Sequence, residues 1–279
     1  MNLNIHHYII GFHPIYLTYF HQWRAFQTEE KPQFFISSKL YSSIAPQGHF
    51  VKYISPNELT HKDQSDTYMY GLIDDSIIYG IKTSDFFHYE IMILESTLNK
   101  DAIEYSLSLR IFSHIVSFDN NLILHASAIK YHQHSILFSG STKVGKTTLA
   151  KRMINHHPKI EFINDDKPLV SFEEGMFYVH GTPWAGEEGL CQSISSKLSC
   201  IICLEQGSHS EVKTMTNHEK VVHLMEHSYH LFDEKFMDIH LNLLNHLIDQ
   251  VPIYKMIVTN DDQAYDVFHE WFIRNISKL

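Results

Sequence analysis

Gly140-Ser141-Thr142-Lys143-Val144-Gly145-Lys146-Thr147 is the stretch from which the fold of this 279-residue chain can be read. It matches the pattern G-x-x-x-x-G-K-[ST], in which glycines let the backbone curl so that successive N–H groups point at phosphate oxygens. Lys146 supplies a cation for the terminal phosphates, and the Thr147 hydroxyl is a natural Mg²⁺ ligand. The stretch therefore predicts a phosphate-binding loop.

The sequence on either side of the loop supports this interpretation over the alternative, a chance Gly-Lys turn. Residues 135–139 form a short apolar run typical of a buried strand, and residues 148–154 have helical spacing. A helix that begins at such a loop directs its positive N-terminal end at the phosphates. The predicted nucleotide-binding residues are Gly140, Ser141, Thr142, Lys143, Val144, Gly145, Lys146, Thr147 and Thr148.

Composition limits the class of protein. A hydrophobic content of 44% is enough for a sizeable core. The formal charge is −10, from 22 Lys and Arg against 32 Asp and Glu. No long basic run appears, which argues against general nucleic-acid binding because affinity for a polyanion needs clustered cations. The chain also lacks an apolar stretch of roughly 18 residues, so no membrane span is expected.

Cysteine usage and the first residues predict a cytoplasmic protein. The start of the chain lacks a basic flank, a long apolar segment and a small-residue cleavage site, which a secretory signal would have. The cysteines are three in number, Cys191, Cys200 and Cys203, and an odd count without an export signal fits a reducing compartment. Cys200 and Cys203 have metal-like spacing, but they lie in an apolar run that favours a buried strand.

The pattern along the chain predicts two regions, 1–98 and 99–279. The first has short alternating runs between turn signals and is expected to be β-rich. The second alternates strands and helices, which predicts an α/β domain with a mixed (α+β) sheet. Strands are expected at 5–10, 33–36, 50–54, 76–81, 89–94, 122–130, 135–139, 160–164 and 253–258, with pairs at 168–172/176–180 and 198–204/211–215. Helices are expected from 99 to about 117 and at 148–154, 217–231, 233–247 and 261–276.

Two adjacent carboxylates, Asp165 and Asp166, follow Asn164 at the end of an apolar strand, about twenty residues after Lys146. Phosphate-binding folds place an acidic group from a neighbouring strand beside the nucleotide, because Mg²⁺ and the transferred phosphate lie beyond the strand tips. One carboxylate can bind Mg²⁺ and the other can accept a proton from an attacking hydroxyl. The alternative is an Asp-rich turn that ends a strand.

These motifs, in this order, resemble those of a known family. Leu124-His125-Ala126-Ser127, the phosphate loop and Asn164-Asp165-Asp166 look like the C-terminal kinase domain of HPr kinase/phosphorylase. Gly181-Thr-Pro-Trp-Ala-Gly-Glu-Glu188 and Val251-Pro-Ile-Tyr254 are similar to diverged HPr-kinase-like proteins of peptide natural-product clusters, including lasso-peptide kinases. The resemblance covers about residues 110–270. It implies a P-loop domain of the HPr-kinase/PEP-carboxykinase type.

The resemblance assigns roles to matching residues. It implies that Asp166 accepts the proton of the substrate serine with Asp165 beside it, and that His125 hydrogen-bonds this base or a phosphate oxygen. A histidine satisfied in the core is the alternative for His125. The implied catalytic residues are Asp166, Asp165, His125 and Lys146. The implied metal ligands are Thr147 and Asp165, with Glu187 or Glu188 in place of a family glutamate that does not align.

Two departures separate this chain from the family pattern. Lys143 stands where the family loop usually has glycine, and it either tolerates the local backbone or adds a second cation at the phosphates. The downstream arginine that serves the reverse phosphorolysis has no convincing counterpart, so phosphorylase activity is not expected.

The residues and the resemblance together predict a kinase. It would use ATP and Mg²⁺ to phosphorylate a hydroxyl, with a peptide or protein serine or threonine as acceptor and a natural-product precursor peptide among the candidates. A kinase of small hydroxylated metabolites and a nucleotide-gated binding protein without catalysis are the alternatives. No nucleic-acid or membrane partner is expected, and the resemblance leaves a homo-oligomer open.

Overall fold

The computed structural model describes residues 1–18, 23–186, 188–229, 234–259 and 261–276, with only the backbone of 234–236. The chain has mixed α/β structure and divides into two compact units, Met1–Ile115 and Val116–Leu279. The boundary expected between residues 98 and 99 lies just before a helix that contributes its residues up to Ile115 to the first unit. Among the helices of the described residues, none combines the length and apolarity of a membrane-crossing segment.

The first unit contains a mixed eight-stranded sheet within its described residues. The strand order is β1-β2-β3-β8-β7-β6-β5-β4, with parallel pairing of β2 to β3 and of β3 to β8. A helix, α1 (Lys100–Ser117), follows the last strand. The strands are β1 (Asn2–Ile5), β2 (Tyr8–His13), β3 (Phe34–Tyr41), β4 (His49–Ser55), β5 (Glu58–Lys62), β6 (Thr67–Ile73), β7 (Ser76–Asp85) and β8 (His88–Leu94).

This unit is β-rich, with differences from the expected strands. The strand expected at 5–10 is two strands, because His6 at φ 59 turns the chain between β1 and β2. Strands β5 and β6 were not expected from the sequence. The first, Glu58–Lys62, has a single apolar residue, Leu59, so it lacks the alternation by which strands are recognised.

The second unit contains a mixed ten-stranded sheet within its described residues. Its main path is β12-β10-β11-β15-β14-β13-β9-β17, and β18 pairs with both β15 and β16. The strands are β9 (Leu122–Leu124), β10 (Ala126–Tyr131), β11 (His134–Ser139), β12 (Ile160–Asn164), β13 (Leu169–Glu173), β14 (Met176–His180), β15 (Ser195–Gln206), β16 (Glu211–Thr214), β17 (Ser228–Tyr229) and β18 (Ile253–Val258). The helices are α2 (Lys146–His156), α3 (Asn217–His227), α4 (Glu234–Gln250) and α5 (Gln263–Asn275).

Two apolar clusters cover the two faces of this sheet. Ile136 and Phe138 of β11 pack in the cluster that includes α2 and α5, whereas Leu137 between them packs in the cluster that includes α4. Cys200 and Cys203 of β15 are buried and belong to different clusters. The expectation of a buried strand is confirmed here, because the two thiols point to opposite faces of the sheet.

Three expectations for this unit are wrong. The predicted 198–204/211–215 pair does not form, because β18 buries Met256 and Val258 between the two strands and pairs with each of them. The strand expected at 122–130 is interrupted at His125, where the chain changes pairing partners. The helix expected at 217–231 ends at His227. Residues 230–233 at the end of that prediction and the start of the next lie outside the described residues.

Candidate active site

The loop after β11 has the predicted order of strand, loop and helix. Gly140 has φ 154, and a Cβ there would lie 2.8 Å from the Leu204 carbonyl oxygen. Gly145 has φ 113, in the region that favours glycine, and α2 begins at the next residue. The buried Lys146 ammonium donates to the carbonyl oxygens of Gly140 at 2.8 Å and Ser141 at 3.1 Å.

The backbone amides of this loop fit an anion. Within the described part of the chain, the N–H groups of Gly145, Lys146 and Thr147 donate to no acceptor. Such groups at the start of a helix bind phosphate well, because the donors and the helix dipole both favour negative charge. The loop therefore has the chemistry of a phosphate site.

Asn164 at the end of β12 holds the predicted carboxylates in place. Its side chain is fully buried, and its Oδ1 accepts the N–H groups of Asp166 at 2.8 Å and Lys167 at 2.7 Å. Its Nδ2 donates to the carbonyl oxygens of Thr182 at 2.9 Å and Trp184 at 3.3 Å. One amide thus joins the turn after β12 to the segment after β14.

We expect Asn164→Ala to lower the free energy of unfolding by about 3 kcal/mol, because it leaves buried backbone groups without partners. Urea denaturation followed by circular dichroism would measure the change. Asn57→Ala, at an exposed turn, is the matched control and should change stability by less than about 0.5 kcal/mol. Equal effects of the two substitutions would contradict this role of Asn164.

The two carboxylates lie in different electrostatic environments. Burial raises the pKa of Asp165 to about 6, although its Oδ1 accepts the Gly186 N–H at 2.8 Å. Burial also disfavours the charged form of Asp166, but hydrogen bonding from His125 and the charge of Lys167 outweigh it and lower the pKa. Oδ1 of Asp166 lies 3.1 Å from His125 Nε2 and 2.7 Å from Lys167 Nζ.

His125 occupies the break between β9 and β10. Its N–H donates to the His227 carbonyl oxygen at 2.7 Å, and its own carbonyl oxygen accepts the Ser139 hydroxyl at 3.3 Å. Burial lowers the pKa of this histidine, against the opposing effect of Asp166. The irregularity at residue 125 therefore aims the imidazole at Asp166.

Oxygen ligands suited to Mg²⁺ lie beside the loop. The Ser127 hydroxyl donates to the Asp165 carbonyl oxygen at 3.0 Å and lies 3.4 Å from Thr147 Oγ1. Hydroxyl and carboxylate oxygens are the ligands that this cation prefers, so Thr147 and Asp165 fit the predicted site. Glu188, also predicted as a ligand, forms an ion pair with Lys151, and Glu187 lies outside the described residues.

A cavity of about 710 Å³ brings most of the predicted residues together. Lys167 and Tyr229 also line it and were not predicted. Lys167 directly follows Asp166, a signal that the sequence offered, whereas Tyr229 arrives through the pairing of β17 with β9. Its lining residues are His125, Thr142, Lys143, Gly145, Lys146, Thr147, Thr148, Asp165, Asp166, Lys167, Gly186, Glu188 and Tyr229.

Three predicted loop residues do not line the cavity. Gly140 and Ser141 instead offer their carbonyl oxygens to Lys146, and Val144 is buried in the core cluster beside α2. Trp184, within the motif Gly181–Glu188, is a core residue with 1% exposure.

Comparison with known proteins finds a distant likeness in fold. No protein-family model and no curated protein matches the sequence. A solved structure, the Hpr(Ser) kinase/phosphatase from Coxiella burnetii, is similar over 55% of this chain and 88% of its own. The identity is 11% and the TM-score is 0.33, so the function must be argued from the geometry of the site.

The backbone at Lys143 explains why glycine would suit this position. Lys143 is exposed and has φ 66, a left-handed conformation that is strained for a residue with a Cβ. We expect Lys143→Gly to raise the free energy of unfolding by about 1 kcal/mol in urea denaturation, because it relieves this strain.

Lys143→Ala is the matched control, since it removes the charge and keeps the Cβ. It should leave stability within about 0.5 kcal/mol of the natural chain. If both variants lower stability equally, the backbone explanation is wrong. If both weaken nucleotide binding equally, the charge of Lys143 contacts the phosphates.

Proposed function

We propose that this chain is an ATP- and Mg²⁺-dependent kinase with a P-loop domain of the HPr-kinase/PEP-carboxykinase type. The proposal rests on one observation, which is that the phosphate loop and the two carboxylates line the same cavity. Free loop amides and a buried lysine line it together with two carboxylates, one of which is paired with a histidine and a second lysine. Phosphoryl transfer needs this combination of phosphate positioning, charge neutralisation and a group that receives a hydroxyl proton.

The residues that line the cavity have separate roles in the proposed reaction. The loop amides and the Lys146 ammonium would bind the β- and γ-phosphates, and Thr147 and Asp165 would hold the metal. When bound, ATP supplies the phosphoryl group and Mg²⁺ offsets its charge. Asp166 orients the acceptor hydroxyl and takes its proton, while His125 holds the Asp166 carboxylate.

The acceptor that we propose is a serine or threonine hydroxyl of a peptide or protein. Support comes from the ordered motifs that resemble those of HPr-kinase-like proteins, Leu124–Ser127, Asn164–Asp166 and Gly181–Glu188. We propose that the kinase acts in the cytoplasm, consistent with its three buried free thiols.

The direct test is phosphoryl transfer by the purified 279-residue chain. It would be incubated with Mg²⁺ and γ-labelled ATP, and separately with a library of Ser- and Thr-containing peptides and a pool of small hydroxylated metabolites. We expect label on peptide hydroxyls, located by tandem mass spectrometry. Label only on small molecules would make the chain a metabolite kinase, and tight ATP binding without any transfer would make it a binding protein.

A further inference from the structure

Lys167 is a charged side chain at the site to which no sequence motif gives a role. Its side chain is 8% exposed, and its ammonium lies 2.7 Å from Asp166 Oδ1 and 5.2 Å from the centre of the Tyr229 ring. Removing a lysine from water costs free energy unless its charge is paired, and here the Asp166 carboxylate provides the pairing.

The backbone of Lys167 is fixed on both sides. Its N–H donates to Asn164 Oδ1 at 2.7 Å, and its carbonyl oxygen accepts the Thr182 hydroxyl at 2.7 Å. Both partners are fully buried. A rigid turn therefore holds the ammonium beside Asp166. The side chain of a surface lysine, in contrast, moves freely.

The two partners of Asp166 contact the same carboxylate oxygen. His125 Nε2 and Lys167 Nζ both approach Oδ1, and no donor within the described ranges contacts Oδ2. Two donors on one oxygen restrict rotation of the carboxylate. The Asp166 side chain remains 23% exposed and lines the cavity, so Oδ2 is available to a further partner.

We propose that Lys167 is a positioning residue that, together with His125, anchors Oδ1 of Asp166 and so presents Oδ2 to the acceptor hydroxyl. This inference rests on the proposed kinase function. In the step that it serves, the hydroxyl oxygen forms a bond to the γ-phosphorus and its proton passes to Oδ2. The bond from the γ-phosphorus to the bridging oxygen breaks, and its electron pair leaves with ADP.

The competing role for Lys167 is a second phosphate cation beside Lys146. The contacts separate the two lysines, because Lys146 is held by loop carbonyls and Lys167 by Asp166. A lysine that acts through Asp166 affects the transfer step, whereas a phosphate cation also affects nucleotide affinity.

The experiment compares Lys167→Met and Lys167→Arg with the natural chain. We expect Lys167→Met to lower kcat by about 10- to 100-fold, as expected for a misplaced catalytic group. The affinity for ADP with Mg²⁺, measured by calorimetry, should change by less than about 2-fold. Lys167→Arg should recover most of the lost kcat because it restores a cation at Oδ1.

A second background decides whether Lys167 acts through Asp166. In a chain that already carries Asp166→Asn, Lys167→Met should have no further effect on residual transfer or on ADP affinity. A 10-fold or larger loss of ADP affinity in either background would overturn the proposal, and so would an unchanged kcat in Lys167→Met.

Chemical rescue covers the case in which Lys167→Met folds poorly. Lys167→Ala leaves room for a small amine, and added ethylammonium should raise its transfer rate in a saturable way. Lys159→Ala, at an exposed position of the same unit, should show no such rise. Absence of rescue in a folded Lys167→Ala chain counts against positioning. If the natural chain itself transfers no phosphate, the kinase function fails and takes this inference with it.

Discussion

Lys146→Met is expected to weaken the binding of ATP and ADP by about 100-fold while the chain remains folded. Loss of one partner from a desolvated charge pair costs about 2–5 kcal/mol, which corresponds to roughly 30- to 4,000-fold in affinity. Calorimetric titration with ADP and Mg²⁺ would measure the change directly, independently of any acceptor.

The surroundings of Lys146 explain why its substitution should weaken nucleotide binding without a large change in the stability of the fold. Burial lowers the pKa of this ammonium to about 8, and the nearby carboxylates of Asp166 and Asp165 oppose the shift. Its direct hydrogen-bond partners are the carbonyl oxygens of Gly140 and Ser141, which carry no full charge. A bound phosphate would bring a negative charge into direct contact with the ammonium. Methionine fills a similar volume without a buried charge, so the free energy of unfolding should stay within about 1 kcal/mol of the natural value.

Lys151→Met provides the matched control for this prediction. Lys151 lies on the same helix, but its side chain is 41% exposed and pairs with Glu188. We expect it to weaken ADP binding by no more than about 3-fold, as is usual for an exposed ion pair. If Lys146→Met weakens binding no more than Lys151→Met does, the loop is not the phosphate site.

The parts of the site that the sequence predicts are those whose residues are contiguous. The loop 140–147 and the pair Asp165–Asp166 could be recognised because each motif holds its chemical groups at fixed short spacing. The structure brings both into one cavity with His125.

The parts that the sequence does not predict depend on contacts between distant segments. Asn164 connects the turn that carries the carboxylates to Thr182 and Trp184, and no pattern in the neighbouring sequence predicts that connection. Tyr229 enters the cavity because β17 pairs with β9, more than a hundred residues earlier in the chain. Contacts of this kind are set by tertiary packing, which periodicity within a short window does not report.

For the same reason, the sequence predicts where strands form better than it predicts which strands pair. The apolar runs of β15 and β18 are visible in the sequence, but their parallel pairing requires a connection through α3 and α4. The short sequence separation of β15 and β16 predicts a hairpin. Instead β18, which has the larger apolar surface, lies between the two strands and pairs with both.

Asp166→Asn is expected to reduce phosphoryl transfer by about 1,000-fold, the range typical for loss of a general base. The substitution keeps the size of the side chain and one oxygen that can accept from Lys167. It removes the charge and the oxygen that would take the hydroxyl proton. Nucleotide affinity should change by less than about 3-fold, because the loop amides and Lys146 are untouched. Single-turnover transfer and ADP titration on the same preparation would separate the two quantities.

Asp165→Asn is the matched control, because it removes the neighbouring carboxylate from the same turn. If Asp165 holds the metal, this variant should weaken Mg²⁺-dependent nucleotide binding by about 10-fold or more and lose transfer as a consequence. The two variants should therefore differ in affinity while both lose activity. Equal losses of affinity and transfer in Asp166→Asn would mean that Asp166 is a metal ligand or a structural residue. In that case Asp165, whose Oδ1 accepts the Gly186 N–H, would become the carboxylate to test as the proton acceptor.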